Sequence, residues 1–213
     1  VYGPNIPTMM GASDRPGSSD AGKLVPIARH GVHFVSLGSL VEPGTPVIWR
    51  GPMLAKVVTQ FLHDVEWGQL DVLLVDLPPG TGDVQLTLTQ SAPLTGAVIV
   101  TTPQSVVLED VTRGVQMFNT VEVPVLGVIE NMSSYVCPKC DTRTDIFSHG
   151  GGRDTAERYS VPFLGEIPID MDVRQGGDDG TPVVVSAPDS VAGAASRKIA
   201  RDLASALDLS VTT

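Results

Sequence analysis

Residues 70–76, LDVLLVD, form an apolar run that ends in an acid and leads straight into LPPGTGD. No other segment narrows the fold as much. A strand-length run without apolar/polar alternation predicts burial on both faces, as for a central strand of a parallel sheet covered by helices. In such sheets ligands sit beyond the carboxyl ends of the strands. Asp76 at that end is placed to hold Mg²⁺ through water, because this ion keeps much of its hydration shell. Gly80 lets a backbone N–H come close to a terminal phosphate. Pro78 and Pro79 stiffen the loop, so that gain or loss of one phosphate moves it as a unit. A strand that simply ends in Asp before a Pro/Gly turn is the plainer reading of Asp76 alone, and the full run DLPPGTGD argues against it.

The flanking segments agree with an α/β fold. VHFVSLG from Val32 reads as a first strand. GPMLAKVVTQFLHDVEW from Gly51 carries Met53, Leu54, Val57, Val58, Phe61, Leu62 and Val65 at helical spacing. GAVIVTT from Gly96 is a strand, SVVLEDVTRGVQMFN from Ser105 a helix, and VPVLGVIEN a strand ending at Asn131. A helix is expected in GGRDTAERYS, a short strand in PFLGEIP, and a terminal amphipathic helix in DSVAGAASRKIARDLASALD, capped near Asp189 or Ser190. GASDRPGSSDAGK (11–23) and DVRQGGDDGTP (172–182) break the pattern and read as mobile loops. The expected architecture is three-layered, with a mostly parallel central sheet flanked by helices, in one domain over residues 1–213.

Composition removes several function classes. A formal net charge of −10 disfavours both nucleic acid and anionic membrane surfaces as partners. No apolar run approaches the roughly 20 residues that span a bilayer, and the last residues, ASALDLSVTT, are short of the basic groups of a membrane-targeting helix. The only cysteines, Cys137 and Cys140, form a single CxxC, which points to a reducing compartment such as the cytoplasm and to metal or redox chemistry. Gly17 to Leu24, GSSDAGKL, imitates a phosphate-binding loop but fails as one. Leu24 has no hydroxyl for Mg²⁺, Asp20 places a charge inside an anion nest, and Pro26 interrupts the helix that should follow.

VYGPNIPTMMG, WRGPM, LLVDLPPGTGD, TTPQSVVLEDVTRG, IENMSSYVCPKC, FSHGGG, LGEIPIDMDVR and GTPVVVSAPDS occur in the order found in the Mrp/ApbC family, which the chain resembles along nearly its whole length. These are P-loop ATPases of the MinD and nitrogenase iron-protein group that act as iron–sulfur cluster carriers. The resemblance implies ATP with Mg²⁺ as ligand, Asp76 as the Mg²⁺-associated acid and Gly80 as the γ-phosphate sensor. It also implies Asn131 as the adenine-reading residue, whose amide can donate and accept, with Pro168 and Asp170 in the IPID stretch walling the base. A cap or turn after a strand is the alternative reading of Asn131. Family members carry KGGVGK[ST] and a strand ending DAD before the YGP stretch. The chain is thus expected to be amino-terminally truncated, with the ATPase activity residing in a longer parent.

Two thiolates from one CxxC supply half of the four ligands that Zn²⁺ or a [4Fe–4S] cluster usually takes, and a two-fold dimer would supply the rest. The resemblance implies a [4Fe–4S] cluster bridging a homodimer through Cys137 and Cys140 and passed to apo iron–sulfur proteins. A thioredoxin-like redox pair and a shared structural zinc remain alternatives. In a different class stands a MinD/ParA-like partner-binding ATPase with zinc or no metal at the CxxC. His149, in FSHGGG, is assigned to a turn, and Gly150–Gly152 to a flexible helix start rather than an anion nest. His30, His33 and His63 show no ligand spacing.

Overall fold

The computed structural model describes residues 5–41, 51–78, 80 and 82–209. The opening VYGP, Trp49 and Arg50 of WRGPM, Pro79 of the proline pair and the last residues of the tail lie outside the described residues. The chain forms two compact units, one built up to Pro93 with Gly176–Pro182, the other from Leu94–Gln175 with Val183 onward.

The first unit holds α1 (Asn5–Met9), the antiparallel hairpin β1 (Gly17–Ser18) and β2 (Leu24–Val25), the antiparallel hairpin β3 (Ile27–Arg29) and β4 (Val32–Phe34), α2 (Gly51–His63) and α3 (Asp83–Ser91). The apolar stripe of α2 behaves as its spacing predicts. Val57 and Phe61 pack with Leu37 and Val65 into one cluster, flanked by Leu24, Leu54 and Trp67, whose indole N–H donates to the Phe61 carbonyl at 2.8 Å. Ala12, Ile27 and Phe34 form a second cluster with Ile6 and Met10.

Three expectations change here. VHFVSLG keeps strand geometry only to Phe34 and pairs antiparallel with its neighbour, because Ser36 then caps the short 3-10 turn Leu37–Ser39. The 11–23 stretch, expected as a mobile loop, carries β1, so GSSDAGKL forms the β1–β2 hairpin, with β3 next in the chain. Most consequentially, residues 70–76 form neither strand nor helix, and Leu70, Val72, Leu73 and Leu74 are exposed, Leu74 by 83%. A central strand exists only through the N–H and C=O groups of its neighbours and the layers over its two faces. Among the described residues no strand runs beside 70–76.

The second unit holds β5 (Ala97–Thr101), α4 (Ser105–Thr120), β6 (Val125–Val136), β7 (Arg143–Thr144), α5 (Gly151–Arg158), β8 (Phe163–Ile169), α6 (Met171–Asp178), α7 (Val183–Ser186) and α8 (Val191–Ala206), with the end of α6 assigned to the first unit. β6 lies between β5 and β8 and is parallel to both, while β7 pairs antiparallel with the last residues of β6. The result is a mixed sheet flanked by helices. Val111, Val115 and Phe118 of α4, Val128 of β6, Ala156 of α5 and Ile199 of α8 are buried. A methyl group on Gly165 of β8 would stand 3.0 Å from Ile199, so the bare backbone is what lets α8 seat there.

β6 runs five residues past Asn131, beyond the expected strand end. Its register against β8 slips between the pairs Asn131↔Ile167 and Tyr135↔Ile169, and Met132 has φ +55°. This is a bulge directly after Asn131, and bulges re-aim side chains near sites. The 172–182 stretch is also corrected: it opens as α6 despite its glycines. Asp170 Oδ1 accepts the Asp172 N–H at 2.9 Å, which satisfies a first-turn donor and lets the helix start. Ser190 caps α8 by accepting the Gly193 N–H at 3.1 Å, as expected.

Candidate functional site

The loop expected to sense a phosphate lies in the first unit. Asp76 is exposed, and Gly80 adopts φ +101° with no atom within 4 Å of the place a methyl group would take, so its backbone is open to solvent. The loop is held from below by a residue that sequence reasoning missed. Gln85, buried in α3, donates its side-chain N–H to the carbonyls of Pro78 at 2.8 Å and Gly80 at 2.9 Å. Both carbonyls turn toward α3. Nothing in the sequence marks Gln85 beyond its place in the first turns of the helix after the loop.

The remaining predicted residues lie in the second unit. Asn131 Oδ1 accepts the N–H of Met132 at 2.9 Å, tying the amide to the bulge. Its register partner in β8 is Ile167, so Pro168 follows directly in the neighbouring strand. Proline is tolerated there because β8 pairs on one side only among the described residues. Asp170 has another engagement: besides Asp172, its second oxygen accepts the Ala192 N–H at 3.4 Å. One carboxylate thus caps the starts of α6 and α8 and anchors the IPID turn.

The two thiols sit at the tip of the β6–β7 hairpin. The pairs Tyr135↔Thr144 and Val136↔Arg143 form its ladder, the Cys137 N–H donates to the Thr142 carbonyl at 3.0 Å, and the Asp141 N–H donates to the Cys137 carbonyl at 2.9 Å. Asp141 closes the turn at φ +54°, a conformation Asp tolerates better than most residues. Both cysteines are free, Cys137 half-buried and Cys140 exposed. The Thr142 hydroxyl, 3.3 Å from Cys140 Sγ, holds the Cys140 thiol below its ordinary pKa, helped by the Thr142 backbone and the Cys137 thiol, with slight desolvation acting the other way. Hydrogen bonds to the charged form favour thiolate. This turn is a knuckle of two neighbouring sulfurs, with the backbone of a hairpin and no helix opening at the first cysteine.

Glu130 was also missed, although an acid inside the apolar strand VLGVIEN is a visible signal. Its side chain is completely buried, with Oε1 accepting the Gly150 N–H at 3.1 Å and Oε2 the Gly152 N–H at 2.6 Å. The three glycines are therefore no flexible helix start. They form a nest for the chain's own carboxylate at the positive end of α5. A side chain at Gly152 would meet Glu130 at 3.0 Å, and one at Gly151 would meet Leu108 at 2.5 Å.

A family model described as ParA, NUBPL iron-transfer P-loop NTPase, matches residues 1–204. The chain belongs to this family. An iron-sulfur cluster carrier protein of Synechocystis is 50% identical to this NUBPL-type chain over 209 residues, 96% of this chain and 59% of that protein. The iron-sulfur protein required for NADH dehydrogenase of Arabidopsis thaliana mitochondria is 45% identical over 97% of this chain and 66% of its own length. The chain therefore spans 59% and 66% of these two relatives. Among solved structures, a nucleotide-binding protein of Archaeoglobus fulgidus in complex with ADP aligns at TM-score 0.70 and 37% identity, over 84% of this chain and 70% of that one. The cell division ATPase MinD of Pyrococcus furiosus aligns at TM-score 0.64 and 19% identity, over 95% and 81%, a likeness of fold alone. The fold is thus of the α/β P-loop NTPase type.

Proposed function

We propose that the chain forms a single P-loop NTPase domain that carries an iron–sulfur cluster as cargo under the control of ATP. The observation that carries this reading is the exposed hairpin presenting Cys137 beside an acidified Cys140, on a chain of the NUBPL family. Thiolates are the ligands that iron–sulfur clusters select. Each chain offers two, so a homodimer holds a [4Fe–4S] cluster on four sulfurs at the two-fold axis and hands it to apo iron–sulfur proteins.

Nucleotide state acts through the 76–83 loop. Asp76 holds Mg²⁺ through water, and the Gly80 N–H reads the terminal phosphate from a loop that Gln85 braces. Asn131 reads the adenine edge, Pro168 walls the base, and Asp170 holds that wall in place through its two caps. The protein works in the reducing cytoplasm. No helix among the described residues is long and apolar enough to cross a membrane.

Anaerobic reconstitution of the whole protein with iron and sulfide tests the reading. The expected result is one [4Fe–4S] cluster per dimer by absorption and Mössbauer spectroscopy, abolished by the double change Cys137→Ser and Cys140→Ser, and transferable to an apo-ferredoxin. A protein that takes up zinc in place of a cluster, or no metal, while still hydrolysing ATP would favour a partner-binding ATPase instead.

A further inference from the structure

The cysteine hairpin is poorly secured by its own ladder. It has two residue pairs, β7 is exposed at both positions, and a lone two-stranded arm is marginal in water. What ties it down is the side chain of Arg143, three residues beyond Cys140. Its Nε donates to Asp145 Oδ1 at 3.1 Å and one terminal nitrogen donates to His149 Nδ1 at 2.9 Å. The same nitrogen lies 3.9 Å from Glu166 Oε2, on β8.

Two of these partners are themselves anchored. His149 Nδ1, accepting from Arg143, has no proton for Glu130, so His149 is held instead by the next peptide, whose Gly150 N–H donates to the buried Glu130, which Gly152 also grips. Glu166 is also paired with Arg153 at 3.6 Å, whose guanidinium lies 4.4 Å over the Phe163 ring. In register, Glu130 and Glu166 are direct neighbours across β6 and β8, so their side chains share one face of the sheet. Glu130, His149 and Glu166 place ligand-type atoms within 4.8 Å of one another, but Arg143 and Arg153 already supply the positive charge that this group attracts. The cluster is an ion-pair clasp, running from the sheet to the arm that bears the thiols.

We propose that Arg143 is a positioning residue for the two-thiol site: forked between Asp145, His149 and Glu166, it fixes the hairpin to the Glu130 anchor and so pre-organises Cys137 and Cys140 for bidentate capture of a thiophilic centre. This rests on the reading of the thiol pair as a cargo site. The planar fork of arginine satisfies several acceptors in set directions, whereas lysine offers a single point charge on a flexible stem. Loosening the arm lowers the effective concentration of one sulfur near the other while leaving each thiol as accessible as before.

The test uses the whole protein, reduced and metal-free, titrated with phenylarsine oxide in competition with dithiothreitol. Trivalent arsenic binds two thiols at once and releases water, so its affinity reports on the sulfur pair without iron, nucleotide or a second subunit. Arg143→Ala and Arg143→Lys are each expected to weaken capture at least tenfold, and Glu166→Gln severalfold. Alkylation of the single thiols by iodoacetamide should change less than threefold in all three, which separates positioning from unfolding. Wild-type arsenical affinity in both Arg143 variants, or its restoration by lysine, overturns the clasp. If the arsenical result holds but wild-type protein takes up no cluster on reconstitution, the positioning role stands and the cargo reading falls.

Discussion

Replacing Glu130 by Gln probes the hidden carboxylate with the least change of shape. The side chain is fully buried and both its oxygens accept backbone N–H groups, at 3.1 Å from Gly150 and 2.6 Å from Gly152. An amide keeps one acceptor and turns an N–H₂ group toward the other donor. One charge-assisted hydrogen bond becomes neutral, the other is lost, and a buried N–H is left facing a donor. Hydrogen bonds to charged groups are worth about 1.5–3 kcal/mol, and an orphaned buried group costs about 1–3 kcal/mol. Removing the charge recovers part of its desolvation cost, which offsets some of this loss. The net expectation is destabilisation by about 2–3 kcal/mol, a large share of a typical domain stability of about 5–15 kcal/mol. Urea unfolding followed by far-ultraviolet circular dichroism measures it, with the slope unchanged. Amide exchange at Gly152 should quicken more than the global loss requires. A shift within about 0.5 kcal/mol would refute the nest as a stabilising contact.

Two further outcomes follow from the exposed features. Leu74→Asp is expected to change the stability of the 213-residue chain by less than about 0.5 kcal/mol in the same urea assay, because the side chain buries little, whereas a doubly buried strand position would lose several kcal/mol. Thr142→Val removes the hydroxyl that contributes most to the acidity of Cys140, and should move the alkylation profile of that thiol to higher pH while keeping part of the shift, since the Thr142 backbone remains. The sign is that of a lowered pKa: the favourable contacts act above the ordinary thiol pKa and are lost as pH falls through the lowered one. An unchanged profile would remove Thr142 from the account.

Where an element is amphipathic or capped locally, its residues declare it. The stripe Val57, Val58, Phe61 and the cap at Ser190 need only their own helices, and both appear where periodicity and cap chemistry place them. The family pattern singled out Asp76, Gly80, Asn131 and the cysteine pair as candidates, because recognition groups must recur at set spacings. Apolar composition alone could not make 70–76 a strand. A strand is a relation between segments, and its partners are not written in its own residues. Nor could the sequence foretell that Glu130 would use Gly150 and Gly152 as its donors, that Asp170 would cap two helices, or that Arg143 would clasp the hairpin. By itself the sequence determined the chemistry on offer: an acid and a glycine in one loop, an amide on a strand, two sulfurs in one CxxC. Only the tertiary structure decided which buried charges are neutralised and by whom, because hydrogen bonds between residues distant in the chain depend on how strands register and helices seat.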